Sequence, residues 1–243
     1  MPEWKRKKDP VLTRWFYRPL SFYGSAFCAN RNISANTVSF FSAIIAVLVC
    51  TCFIYDNHSS RVIGAVLCNF WLFLDCVDGN IARSVKKQAF GAFADSMSSY
   101  ILVGLLCTSL GIAAYFEGGI FIPKGCVWII LLGAVASSSD SLMRLIYQKY
   151  KNTEKDLEKL NVLRVEIDER QDPKQSTNWK NKIDETFGIG GIMPILILLA
   201  SVFHALDLMV IYCFFFFFPV AIISIIVLVR KAIKAAKIYK MPE

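Results

Sequence analysis

The sequence predicts an all-α integral membrane protein, with six transmembrane helices preceded by an amphipathic helix in the membrane interface. Three observations carry that expectation. Fifty-five per cent of the 243 residues are hydrophobic and mean hydropathy is +0.47, more apolar material than a soluble domain of this size uses. The apolar residues gather into stretches near the roughly 20 residues that a helix needs to cross the hydrocarbon core. The basic residues, finally, lie almost all to one side of those stretches.

Residues 1–36 form the N-terminal segment. It opens with charge, Trp4-Lys5-Arg6-Lys7-Lys8, and has no apolar core before residue 37, so it does not have the form of a cleavable leader. Asp9-Pro10 resembles an N-cap followed by a first-turn proline. Leu12, Trp15, Phe16, Leu20 and Tyr23 then recur at helical spacing, as in a helix lying in the cytoplasmic interface. The alternative is a helix packed inside the protein.

The membrane domain covers residues 37–230. Its six apolar stretches run at about 37–55, 62–82, 89–115, 126–147, 188–206 and 208–230. A polar stretch, 149–186, separates the fourth from the fifth. Leu157, Leu160 and Leu163 keep helical spacing there, so it either prolongs the fourth span or covers the inner face. Residues 231–243 are a short basic tail.

With the N-terminus inside, six spans return the C-terminus to the same side. Of the 27 Lys and Arg residues, only Arg61 and Lys124 then fall in outer turns, as the positive-inside rule requires. Both termini are expected in the cytoplasm, with a bacterial inner membrane as the default setting. The net charge of +8 is explained by this topology and by contact with anionic membrane lipids. It does not form the basic patch on a soluble domain that nucleic acid would need.

The eight Cys residues lack metal-type pairing and are expected to be reduced packing residues. His58 and His204 map near the outer face. The run Phe214–Phe218 before Pro219 is expected to be lipid-facing bulk.

The chemistry concentrates in Asp75-Cys-Val-Asp78-Gly79-Asn-Ile-Ala82-Arg83 and Gly91-Ala-Phe-Ala-Asp95-Ser-Met-Ser-Ser99. Carboxylates inside a membrane are costly and mark function. Asp75, Asp78, Gly79 and Ala82 share one helix face, and Gly91, Asp95 and Ser99 align on the next span. Three converging carboxylates repel unless a cation or protons intervene. Hard oxygen ligands suit Mg²⁺ or Mn²⁺, which also bind phosphate oxygens. Gly79 and Gly91 leave room for a ligand, and Arg83 offers a planar fork for phosphate. Asp75 lies about 21 Å along a helix from Arg61, in the cytoplasmic part of the bilayer.

This pattern resembles the signature of the CDP-alcohol phosphotransferase family, D-x2-D-G-x2-A-R-x7/8-G-x3-D-x3-D. Asp75, Asp78, Gly79, Ala82, Arg83, Gly91 and Asp95 hold seven of its eight specified positions. Ala35-Asn36-Thr37-Val38-Ser39 resembles the family's Pro-Asn-x-x-[Ser/Thr] element without its proline. The resemblance implies that Asp75, Asp78 and Asp95 bind metal and that Arg83 neutralises the diphosphate. It places Asn36, Ser39, Asp78, Gly79, Ala82, Arg83 and Gly91 around a CDP-linked alcohol donor, with Asp95 and residue 99 at the reacting end. A lipid or glycan hydroxyl would accept the phospho- or phosphono-alcohol group, CMP would leave, and a homodimer is expected.

The eighth position departs from the family. Ser99 stands where the family has its fourth aspartate, taken as the base, and a serine hydroxyl lacks useful basicity near neutral pH. Metal coordination of the acceptor can replace a base. A carboxylate from another helix is a second solution. Asp140, in the run Ser137-Ser138-Ser139-Asp140-Ser141 with Arg144 one turn on, is the candidate, as acceptor site or as a simple ion pair. The third reading is a homologue that binds CDP-substrates with little or no turnover.

Overall fold

The computed structural model describes residues 12–84, 89–159 and 186–238, and all regular structure among them is helical. A π-helical turn, Thr13–Tyr17, runs directly into α1 (Arg18–Asn30). Six helices follow: α2 (Ala35–Ile54), α3 (His58–Ser84), α4 (Gly91–Glu117), α5 (Val127–Lys159), α6 (Met193–Val202) and α7 (Leu206–Ile238). Lys5 to Pro10, Lys86, Lys87, Leu160, Leu163 and the last five residues lie outside the described residues.

Five helices, α2 to α5 and α7, are long and apolar enough to cross a membrane. Within the expected fifth stretch, regular helix covers only the ten residues of α6, about 15 Å of rise. Turns at 188–192 and 203–204 flank it. Gly188, Gly190 and Gly191 loosen its start, and Pro194 lacks the amide that an inner turn would need. Of the polar stretch 149–186, the first part continues α5 as helix to Lys159.

The N-terminal helix presents its large apolar residues away from the protein. Trp15, Phe16, Leu20 and Tyr23 are exposed, while Thr13, Tyr17 and Ser21 are buried on the side that packs against α3. That inward side comes close to α3 at one point for a steric reason. A Cβ on Gly24 would stand 2.8 Å from Val77 Cγ2, so glycine permits the close approach. Tyr17 donates to Asn69 Oδ1, and burial pushes its hydroxyl pKa up to about 12, which keeps that donor protonated.

Helix α2 starts where Ser34, in extended conformation, accepts a hydrogen bond from the Thr37 amide at 3.2 Å, a side-chain N-cap. Ala35 therefore occupies the first helical position, where the family's proline would be tolerated. Helix α2 packs against both α3 and α4, α4 against α5, α5 against α7, and α6 against α3. The two motif helices, α3 and α4, touch each other only sparingly; each is set by α2, which leaves space between the halves that carry Asp75, Asp78 and Asp95. Val49, Phe53, Leu72, Leu102, Leu106 and Ile129 form the fully buried centre. Helices α4 and α5 meet backbone to backbone at Gly133, where a Cβ would collide with the Cys107 carbonyl.

All eight cysteines are free thiols. The phenylalanine run is mixed rather than wholly lipid-facing: Phe215 is exposed and Phe217 is buried. A helix places neighbouring positions about 100° apart, so five consecutive residues cannot share one face.

Candidate functional site

The space between α3 and α4 is a cavity of about 500 Å³. Its lining includes Asn36, Ser39, Asp75, Asp78, Gly79, Ala82, Arg83, Gly91, Asp95 and Ser99, all singled out by sequence. The helical registers explain the convergence. Asp75 and Asp78 lie one turn apart on α3, and Asp95 sits one turn into α4. One carboxyl oxygen from each lies within 4.8 Å of the others. Asp78 is buried and Asp95 exposed, so the cluster runs from the protein interior to the open side of the cavity. Carboxylates this close repel unless a cation or protons are shared. An all-oxygen, hard donor set fits a divalent ion of the Mg²⁺ type better than a soft one.

Asp78 is oriented from α2. The Ser39 hydroxyl stands 2.7 Å from Asp78 Oδ2, and both side chains are buried. One turn deeper, Ser42 and Ser98 share a hydrogen bond of 2.7 Å, and Trp71 Nε1 donates to Ser98 at 2.8 Å. This buried network ties α2, α3 and α4 together beneath the cluster. Asn36 Nδ2 donates to the Ala89 carbonyl at 2.9 Å, fixing the start of α2 to the turn before α4.

Another part of the lining is cationic. Arg83 Nη2 donates to Asn80 Oδ1 at 2.8 Å, and Arg18 Nη1 donates to the same oxygen at 3.2 Å. Asn80 is itself held by its Nδ2 donating to Ser21 at 2.8 Å. Two guanidinium groups thus meet on one neutral amide oxygen, beside three carboxylates. Gly79 serves this part of the lining directly. Its missing side chain leaves room for the Arg83 guanidinium, 3.1 Å from where a Cβ would be.

Arg18 was not among the sequence candidates, because residues before α2 signalled only an interfacial helix. Asn80 was a visible signal, being a polar amide in an apolar span between two fixed motif positions. Asp140 and Arg144 do not line this cavity. Asp140 is buried and accepts from Arg144 Nε at 2.8 Å, and the Arg144 guanidinium lies over the Tyr100 ring, 5.8 Å from its centroid. Ser99 does line the cavity, and no carboxylate other than Asp75, Asp78 and Asp95 joins it among the described residues.

At the other end of the bundle, His58, Glu117 and His204 form a second cluster, also with ligand atoms within 4.8 Å of one another.

Fold and site together define a helical membrane protein that gathers carboxylates and guanidinium groups around a cavity suited to a metal and a phosphorylated ligand. Residues 32–167 match the family model of CDP-alcohol phosphatidyltransferases. This is more than half of the chain, and the protein belongs to that family, whose members transfer a phospho-alcohol group from a CDP-alcohol. No curated protein matches the chain.

Proposed function

We propose that this protein transfers a phospho- or phosphono-alcohol group from a CDP-linked donor to a hydroxyl of a lipid or glycan, releasing CMP. The observation that carries this reading is the meeting of Asp75, Asp78 and Asp95 within 4.8 Å in one cavity with Arg18 and Arg83. The three aspartates hold Mg²⁺ or Mn²⁺, which supplies charge neutralisation at the diphosphate.

The side chains do the remaining work. Arg83 and Arg18 bind the diphosphate oxygens, which are the charge the transition state must spread. Asn36, Ala82 and Gly91 accommodate the nucleotide, while the Ser39 hydroxyl holds Asp78 in place. In the transfer, the acceptor oxygen forms a bond to the phosphorus bearing the alcohol. The anhydride bond breaks, and CMP leaves with its electron pair. The hydroxyl proton passes first to Asp95, one helical turn from Ser99, and then to water. Rate enhancement rests on positioning and electrostatics rather than on a strong base.

In this reading 186–202 completes a sixth membrane passage, and α1 lies in the cytoplasmic interface with Trp15, Phe16 and Tyr23 among lipid. The cavity then opens to the cytoplasmic side, where a CDP group can enter from the aqueous phase or from the lipid surface.

The test is CMP release by purified protein with a panel of CDP-donors and lipid acceptors, in Mg²⁺ and in EDTA. Metal-dependent release, lost in Asp75→Asn, supports transfer. No release across the panel would sink it. Ser99 favours one second reading, a CDP-substrate binder with little or no turnover. There CDP binds without release of CMP, and Ser99→Asp restores turnover.

A further inference from the structure

The second cluster is built from three separate elements. His58 opens α3, Glu117 closes α4, and His204 lies in the turn between α6 and α7. His58 is about 25 Å along α3 from Asp75, so this is a different site from the cavity.

Its geometry is convergent. His58 Nδ1 lies 2.9 Å from Glu117 Oε1, and His204 Nδ1 contacts the same oxygen. The two imidazoles stack with centroids 4.2 Å apart and planes 19° from parallel. Both therefore aim the same nitrogen at one point. Glu117 has a side chain only 8% exposed, and its Oε2 has no hydrogen-bond partner among the described residues. Arg61 Nη1 stands 3.4 Å from that oxygen, and Arg61 is anchored in turn by Asp56 at 2.7 Å. The buried guanidinium thus fixes the carboxylate with Oε1 turned to the imidazoles, the outer support that metal ligands typically have. His58 and His204 remain 41% and 60% exposed, which leaves an approach for an ion and for water.

We propose that His58, Glu117 and His204 bind a Zn²⁺-type transition-metal ion, with water completing its coordination, and so clamp the ends of α3 and α4 to the α6–α7 turn. Two imidazoles and one carboxylate are a donor set for zinc rather than for Mg²⁺. With neutral imidazoles, Glu117 and Asp56 outweigh Arg61 by one negative charge, so the cation enters a site of opposite sign.

The full chain, purified in detergent, stripped with EDTA and held in excess Mg²⁺ to fill the aspartate site, is titrated with Zn²⁺ alone. One Zn²⁺ per chain is expected, with a rise in melting temperature. His58→Gln and His204→Gln should each weaken binding about tenfold or more, while Asp75→Asn should keep the zinc. Co²⁺ on the unmutated protein should give the visible absorption of a low-coordinate nitrogen–oxygen site, a readout that needs no variant to fold. No zinc bound by the unmutated protein, or affinity unchanged in both histidine variants, overturns the proposal.

Discussion

The Ser39 hydroxyl stands 2.7 Å from Asp78 Oδ2, so the carboxylate deepest in the cavity is aimed by a helix that carries no other member of the aspartate cluster. Helix α2 packs on both motif helices, and this contact is where its placement reaches the chemistry.

Removing that hydroxyl should therefore act on the ion before the substrate. Ser39→Ala is expected to lower metal affinity about 10- to 100-fold, seen as a rise in the Mg²⁺ concentration giving half-maximal CMP release. Saturating Mg²⁺ should recover most of the rate. A loss that metal does not rescue would place Ser39 on the nucleotide instead.

Arg18 and Arg83 share Asn80 Oδ1. Arg18→Ala should raise KM for the CDP-donor about tenfold or more, as expected for a lost charged hydrogen bond. Arg18→Lys should recover little of this, because a point charge cannot reproduce the guanidinium fork. Steady-state kinetics against donor concentration measure both effects.

Ser99 lines the cavity without the basicity of a carboxylate. Ser99→Ala should leave CMP release close to that of the unmutated protein. A large loss in that variant would show that the hydroxyl binds the ion or the acceptor.

Gly133 admits no side chain beside the Cys107 carbonyl. Gly133→Val is expected to destabilise the α4–α5 pair by about 1–3 kcal/mol, the usual cost of overpacking. A thermal melt in detergent should show a lowered midpoint even with the aspartate site loaded with metal.

Sidedness can be read from native thiols. Cys28 ends the N-terminal helix region and Cys126 lies in the turn before α5, both partly exposed. A membrane-impermeant thiol reagent applied to intact cells should label Cys126 and spare Cys28. The reverse pattern would turn the cavity to the other side.

Sequence alone determined the class of the protein and picked out most of the residues that line its cavity. Hydropathy needs no tertiary information to define membrane helices, since each must satisfy its own backbone within the bilayer. Fixed spacing on a helix likewise puts Asp75 and Asp78 on one face, with Asp95 on the next helix in chain order. What sequence could not supply was distance across helices. Arg18 is separated from Asn80 by 62 residues, and only the packing of α1 on α3 brings them together. Glu117 is likewise 59 and 87 residues from the two histidines it meets. The same limit explains Asp140, whose side chain is spent on Arg144 four residues away and does not line the cavity. Periodicity orders residues along one helix; which helix stands beside it is decided by side-chain volumes such as the missing Cβ of Gly24 and Gly133.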